Sequence, residues 1–67
     1  MNAHVNGELR ELPAGTTVES LVASLADAPG RGLAVALDGE VVPRAQWPGT
    51  PITPGARVEI VVAVQGG

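Results

Sequence analysis

Arg57-Val58-Glu59-Ile60-Val61-Val62-Ala63 is the stretch that decides the fold. Val58, Ile60 and Val62 alternate with Glu59, Val61 and Ala63, so a strand here has two largely apolar faces. Such a strand belongs in the middle of a sheet, where neighbours flank both edges. What precedes it then reads as the material that surrounds a central strand.

At the other end, Met1, Ala3 and Val5 alternate with Asn2 and His4, the period of a strand with one buried side. Asn6-Gly7 follows as a two-residue hairpin turn, and a second strand runs from about Glu8 to Leu12 before Pro13-Ala14-Gly15 breaks the pairing. Leu12 is the core residue of that strand, while Leu9 fits either face. Thr16 and Glu19 have the spacing of a capping box, and Thr17 offers a hydroxyl that caps alone. Val18, Leu21, Val22 and Leu25 then fall on one helical stripe, which predicts an amphipathic helix ending near Ala26 or Asp27, ahead of Pro29 and Gly30-Arg31-Gly32. Leu33 to Leu37 is a short apolar strand closed by Asp38-Gly39, a second hairpin signal, and Glu40 to Pro43 is a brief strand that Pro43 confines to an edge. Arg44 to Pro54 carries prolines at 48, 51 and 54 and reads as irregular, with Trp47 folding back over one end of the core. Hairpin, helix, hairpin and central strand together predict one mixed sheet of four to five strands with one helix on one face, the first and last strands parallel neighbours.

A chain of 67 residues makes one domain, because at this size folding buries only roughly 60% of the unfolded surface. Its apolar residues, 45% of the total, are aliphatic except for Trp47. Seven acids oppose four arginines, lysine is absent, and the arginines do not cluster, so nothing provides the basic footprint that nucleic acid needs. No stretch approaches about 18 consecutive apolar residues and no basic-then-apolar leader is present, so no membrane is expected and the expected location is cytoplasmic. Without cysteine there is no disulfide, thiolate metal site or catalytic thiol. His4 is the one histidine, on a strand's solvent side, and the carboxylates are scattered, which gives neither a catalytic constellation nor a metal cage. Gly30-Arg31-Gly32 has Val35 where a dinucleotide fingerprint needs glycine, so the chain is expected to bind no cofactor and not to be an enzyme.

The sequence closes on Val64-Gln65-Gly66-Gly67, directly after its best strand. Read for stability alone, this is a frayed end that adds no contact. Read for function, it is a thin, unbranched lead that carries the Gly67 carboxylate into another enzyme's pocket, four residues reaching roughly 13–14 Å when extended. On this reading residues 1–63 form the domain and 64–67 a flexible tail.

Asn6-Gly7-Glu8, Gly15-Thr16-Thr17-Val18 with Leu21-Val22, Val35 through Arg44 with Trp47, and Arg57-Val58-Glu59-Ile60-Val61 closing in Ala63-Val64-Gln65-Gly66-Gly67 together resemble the ThiS family. These are sulfur carriers of thiamine thiazole biosynthesis within the ubiquitin-like β-grasp superfamily. The resemblance spans nearly the whole chain. It implies that an E1-like adenylyltransferase, using ATP and Mg²⁺, activates the Gly67 carboxylate. A cysteine desulfurase or rhodanese-type donor then supplies persulfide sulfur, AMP leaves, and Gly67 becomes a thiocarboxylate that thiazole synthase consumes. Val64, Gln65 and Gly66 would be the lead into those active sites. Superfamily members dock through the open sheet face, which here implies a patch of Leu9, Val61 and Ala63 with His4 nearby, on a carrier monomeric when free. The sequence departs from the family in having alanine at expected core positions 3, 34 and 36, and in lacking lysine for ubiquitin-like self-linkage. A carrier for molybdopterin or another sulfur-containing metabolite would share these features, and so would a β-grasp binding module with an inert tail.

Overall fold

The computed structural model describes residues 1–25 and 32–62, Val62 by its backbone alone. β1 (Asn2–Val5) turns through Asn6-Gly7 into antiparallel β2 (Glu8–Glu11), and helix α1 (Val18–Leu25) follows. β3 (Leu33–Leu37) turns through Asp38-Gly39 into β4 (Glu40–Val42), a 3₁₀ helix spans Arg44–Gly49, and β5 (Arg57–Val62) completes the order. In each hairpin both turn residues have positive φ, 51° and 83° at Asn6 and Gly7 and 50° and 87° at Asp38 and Gly39. That is the type I′ geometry whose twist matches paired strands, and Asn-Gly and Asp-Gly are the dipeptides that adopt it most readily.

The strand order is β2-β1-β5-β3-β4, so β5 is central, parallel to β1 and antiparallel to β3, and β4 lies at an edge. The mixed five-stranded sheet with one helix bears out the architecture read from the sequence. Val18, Leu21 and Val22 of α1 join Ala3 and Val5 of β1, Val35 of β3, Val42 of β4 and Val58 of β5 in one buried cluster, closed by Leu12, Trp47, Ile52 and Ala56. Each such Val or Leu contributes roughly 1.5–3 kcal/mol by leaving water.

Three details refine or correct the sequence reading. Of the two caps the sequence offers, Thr17 is the one used and Thr16 with Glu19 is not: the Ser20 N–H donates to Thr17 Oγ1 at 3.2 Å and the Thr17 N–H donates to Ser20 Oγ at 2.9 Å. Serine thus takes the reciprocal role usually held by Glu or Gln, and the Thr16 hydroxyl instead donates to Pro13 O at 2.7 Å. The segment expected to be irregular contains the 3₁₀ helix Arg44–Gly49 with Pro48 inside it. A 3₁₀ helix of about two turns tolerates proline because its φ suits the helix and only a single donor is lost. Ala34 is exposed and Ala36 only half-buried, so of the three alanines assigned to the core Ala3 alone is there. With Val35 turned toward α1, the period of two sends both its neighbours to the opposite face. That face of β5 is open as well: Val58 is buried, whereas Val61 is 59% exposed. The expected end of α1 near Ala26 or Asp27 lies outside the described residues, and the helix is described as far as Leu25.

The corner between α1 and the 3₁₀ helix is tied by backbone, with the Val18 N–H on Thr50 O at 2.9 Å and the Ile52 N–H on Thr16 O at 2.8 Å. Trp47 covers the core as expected, its indole N–H donating to Val42 O at 2.9 Å and the Arg44 guanidinium lying 5.4 Å from the ring centroid.

Candidate functional site

Register carries the alternation of each strand across the sheet and defines its uncovered face. His4 lies opposite Leu9 on one side and Arg57 on the other, Glu59 opposite Ala36, Val61 opposite Ala34, and Ala36 opposite Val41. Side chains directly across a ladder share a face, so these residues line one surface, away from α1. His4 is exposed there, Leu9 is 63% exposed, and Val61 is 59% exposed. Ala63, Val64, Gln65, Gly66 and Gly67 lie outside the described residues.

The surface has two unequal parts. Val61 does not meet Leu9. Along β5 it is four residues past Arg57, which puts it roughly 13 Å further on at the rise of a strand, and Leu9 is two strands away from β5. Val61 instead joins Ala34, Ala36 and Val41 around a shallow depression of about 180 Å³, with Glu59 on its rim. Val41 is the most exposed large apolar residue of the three that stand out, at 75%. The sequence reading missed Val41, Ala34 and Ala36 as surface residues. The signal available was the Asp38-Gly39 turn, which fixes the β3–β4 register and thereby puts Val41 across from Ala36.

The strand that leads to the chain end is gripped by both hairpin turns. Asn6 Oδ1 accepts from the Ile60 N–H at 2.8 Å, and Asp38 Oδ1 accepts from the Arg57 N–H at 2.9 Å. Backbone adds Asn6 N–H to Val58 O at 2.9 Å and Asp38 N–H to Arg57 O at 2.8 Å. A second, polar hollow of about 370 Å³ sits beside the Asp38-Gly39 turn, lined by Gly55, Arg57 and Glu59. Among the described residues no three His, Cys, Asp or Glu side chains converge in a way that could hold a metal ion, and no helix is long and apolar enough to cross a membrane. The described surface offers a shallow apolar strip beside a strand held at both hairpin turns.

Comparison with known proteins agrees with this geometry. The ThiS family model matches residues 3–67. The crystal structure of the thiamine biosynthesis protein ThiS from Geobacter metallireducens superposes with a TM-score of 0.86 at 30% identity, over 100% of both chains. A solution NMR structure of a thiamine biosynthesis protein from the same organism gives 0.80 at 30% identity, over 100% of this chain and 88% of the other. No match is found among curated proteins. With a β-grasp sheet in this strand order and a family match over nearly its full length, the chain belongs to the ThiS family of small sulfur carriers.

Proposed function

We propose that this chain carries sulfur for thiazole formation in thiamine biosynthesis as a thiocarboxylate at Gly67. The observation that carries the reading is the family match, which runs through Gly66-Gly67 to residue 67. The likeness to a thiamine biosynthesis protein over the whole chain supports the choice of pathway.

A carboxylate resists nucleophilic attack, so the end must first be made electrophilic. An E1-like adenylyltransferase joins the Gly67 carboxylate to AMP from ATP, with Mg²⁺ on that enzyme balancing the phosphate charge. The persulfide of a cysteine desulfurase or rhodanese-type donor then displaces AMP to give an acyl disulfide, and a second thiol cleaves its S–S bond, leaving the thiocarboxylate on Gly67 and becoming oxidised to a disulfide with the donor. Because the chain has no cysteine, the carried sulfur has no side chain to occupy and sits on the terminal carbonyl carbon. Thiazole synthase takes the sulfur and returns the carboxylate. The chain's own part is to dock and to present its end, with Val64, Gln65 and Gly66 as the lead. Docking uses the open sheet face, Val61 together with Val41, Ala34 and Ala36, while His4 and Leu9 lie toward the β2 edge.

Intact-mass measurement tests the carrier role directly. After incubation with the activating enzyme, ATP, a persulfide donor and a thiol reductant, the chain gains the mass difference between sulfur and oxygen, and a chain lacking Gly67 gains nothing while its circular-dichroism melt is unchanged. If no such species forms with any cognate activating enzyme, the proposal is wrong. A molybdopterin synthase subunit that consumed the loaded chain in place of thiazole synthase would move it to the rival pathway.

A further inference from the structure

The geometry points to Asn6 as a positioning residue for sulfur loading, which accepts from the Ile60 N–H so that the end of β5 leading to Gly67 starts from a fixed point. This rests on the carrier reading above.

The two hairpins present the same device to opposite ends of β5. Each has an Asx-Gly turn with positive φ at both positions, and each aims its Asx Oδ1 at a β5 amide. Their surroundings differ. Asp38 holds Arg57, where the strand begins and where β1 pairs with it through His4. Asn6 holds Ile60 on the edge where β1 pairing has ended at Val58, and among the described residues no strand flanks that edge further on. From there β3 alone continues the ladder, through Ala34 with Val61 and Leu33 with Val62. The bond spans 54 residues of sequence, so it ties the first turn of the chain to the base of its last segment. Without it, Ile60 to Val62 is held on the β3 edge alone, so this end of β5 opens more often, and each opening lengthens the stretch between the last fixed residue and Gly67. The effective concentration of a tethered end falls roughly as the −3/2 power of tether length.

Substituting each turn separates positioning from stability, because Asn6→Gly and Asp38→Gly both keep a residue suited to positive φ and both delete one side-chain acceptor. Amide exchange by NMR on the free full-length chain should show the Ile60 N–H of Asn6→Gly exchanging about five- to tenfold faster, the factor that follows from one lost hydrogen bond. Sulfur loading of the same variant should show KM raised about twofold with kcat unchanged, in line with the longer tether. Asn6→Asp, which keeps Oδ1, should restore both readouts, and Asp38→Gly should lower the melting temperature comparably yet load as the unaltered chain does. Equal loading defects in the two glycine variants, or an Ile60 amide indifferent to Asn6→Gly, would overturn the positioning role while leaving the carrier reading in place. Failure of the unaltered chain to load at all would overturn both.

Discussion

Val58 and Val61 stand three residues apart on one strand and live in different solvents. Val58 is fully buried under α1, and Val61 is 59% exposed on the opposite face. The covered face holds the fold together through Ala3, Val5, Val18, Leu21, Val35 and Val58. The other face leaves an aliphatic strip wet, so its side chains contribute little to stability and are free to serve recognition. Small carriers that must be recognised by more than one enzyme profit from this division, since the recognition surface changes without cost to the core.

Three substitutions test how sharp the division is. Leu21→Ala, on the covered face, should lower unfolding free energy by about 2–5 kcal/mol in urea titration followed by circular dichroism. That is a large part of what so small a domain has. Thr17→Ala, which removes the cap and its reciprocal bond with Ser20, should cost about 1 kcal/mol in the same titration. Val41→Ser, on the open face, should stay within about 0.5 kcal/mol of the unaltered chain. Its expected effect is on affinity for the activating enzyme, measured by calorimetric titration. A Val41→Ser cost as large as that of Leu21→Ala would erase the distinction between the faces.

Where the sequence was legible, two neighbouring signals agreed. The Asn6-Gly7 and Asp38-Gly39 turns carry their own backbone requirement, and the stripe Val18, Leu21, Val22, Leu25 matches only a helical period. Legibility failed where a signal could slip by one residue or had no contrast. Thr16 and Thr17 are adjacent possible caps, and the familiar Glu at 19 outweighed Ser20 even though Ser20 does the bonding. Leu33 to Leu37 is apolar throughout, so its pattern could not say that Val35 faces α1 and Ala34 faces water. Val41, beside Val42 in a three-residue strand, was hidden for the same reason. The grips of Asn6 on Ile60 and Asp38 on Arg57 link residues far apart in the chain, which local pattern does not reveal. Gly66-Gly67 was the converse, conspicuous as sequence and outside the described residues.

Trp47 has a practical consequence. It is the chain's one aromatic residue, only 5% exposed, with its indole N–H committed to Val42 O. The intrinsic fluorescence of the protein therefore comes from a single emitter at the corner where the 3₁₀ helix closes over the core. Its colour reports whether that corner is shut, without any attached dye and with no second chromophore to blur the signal.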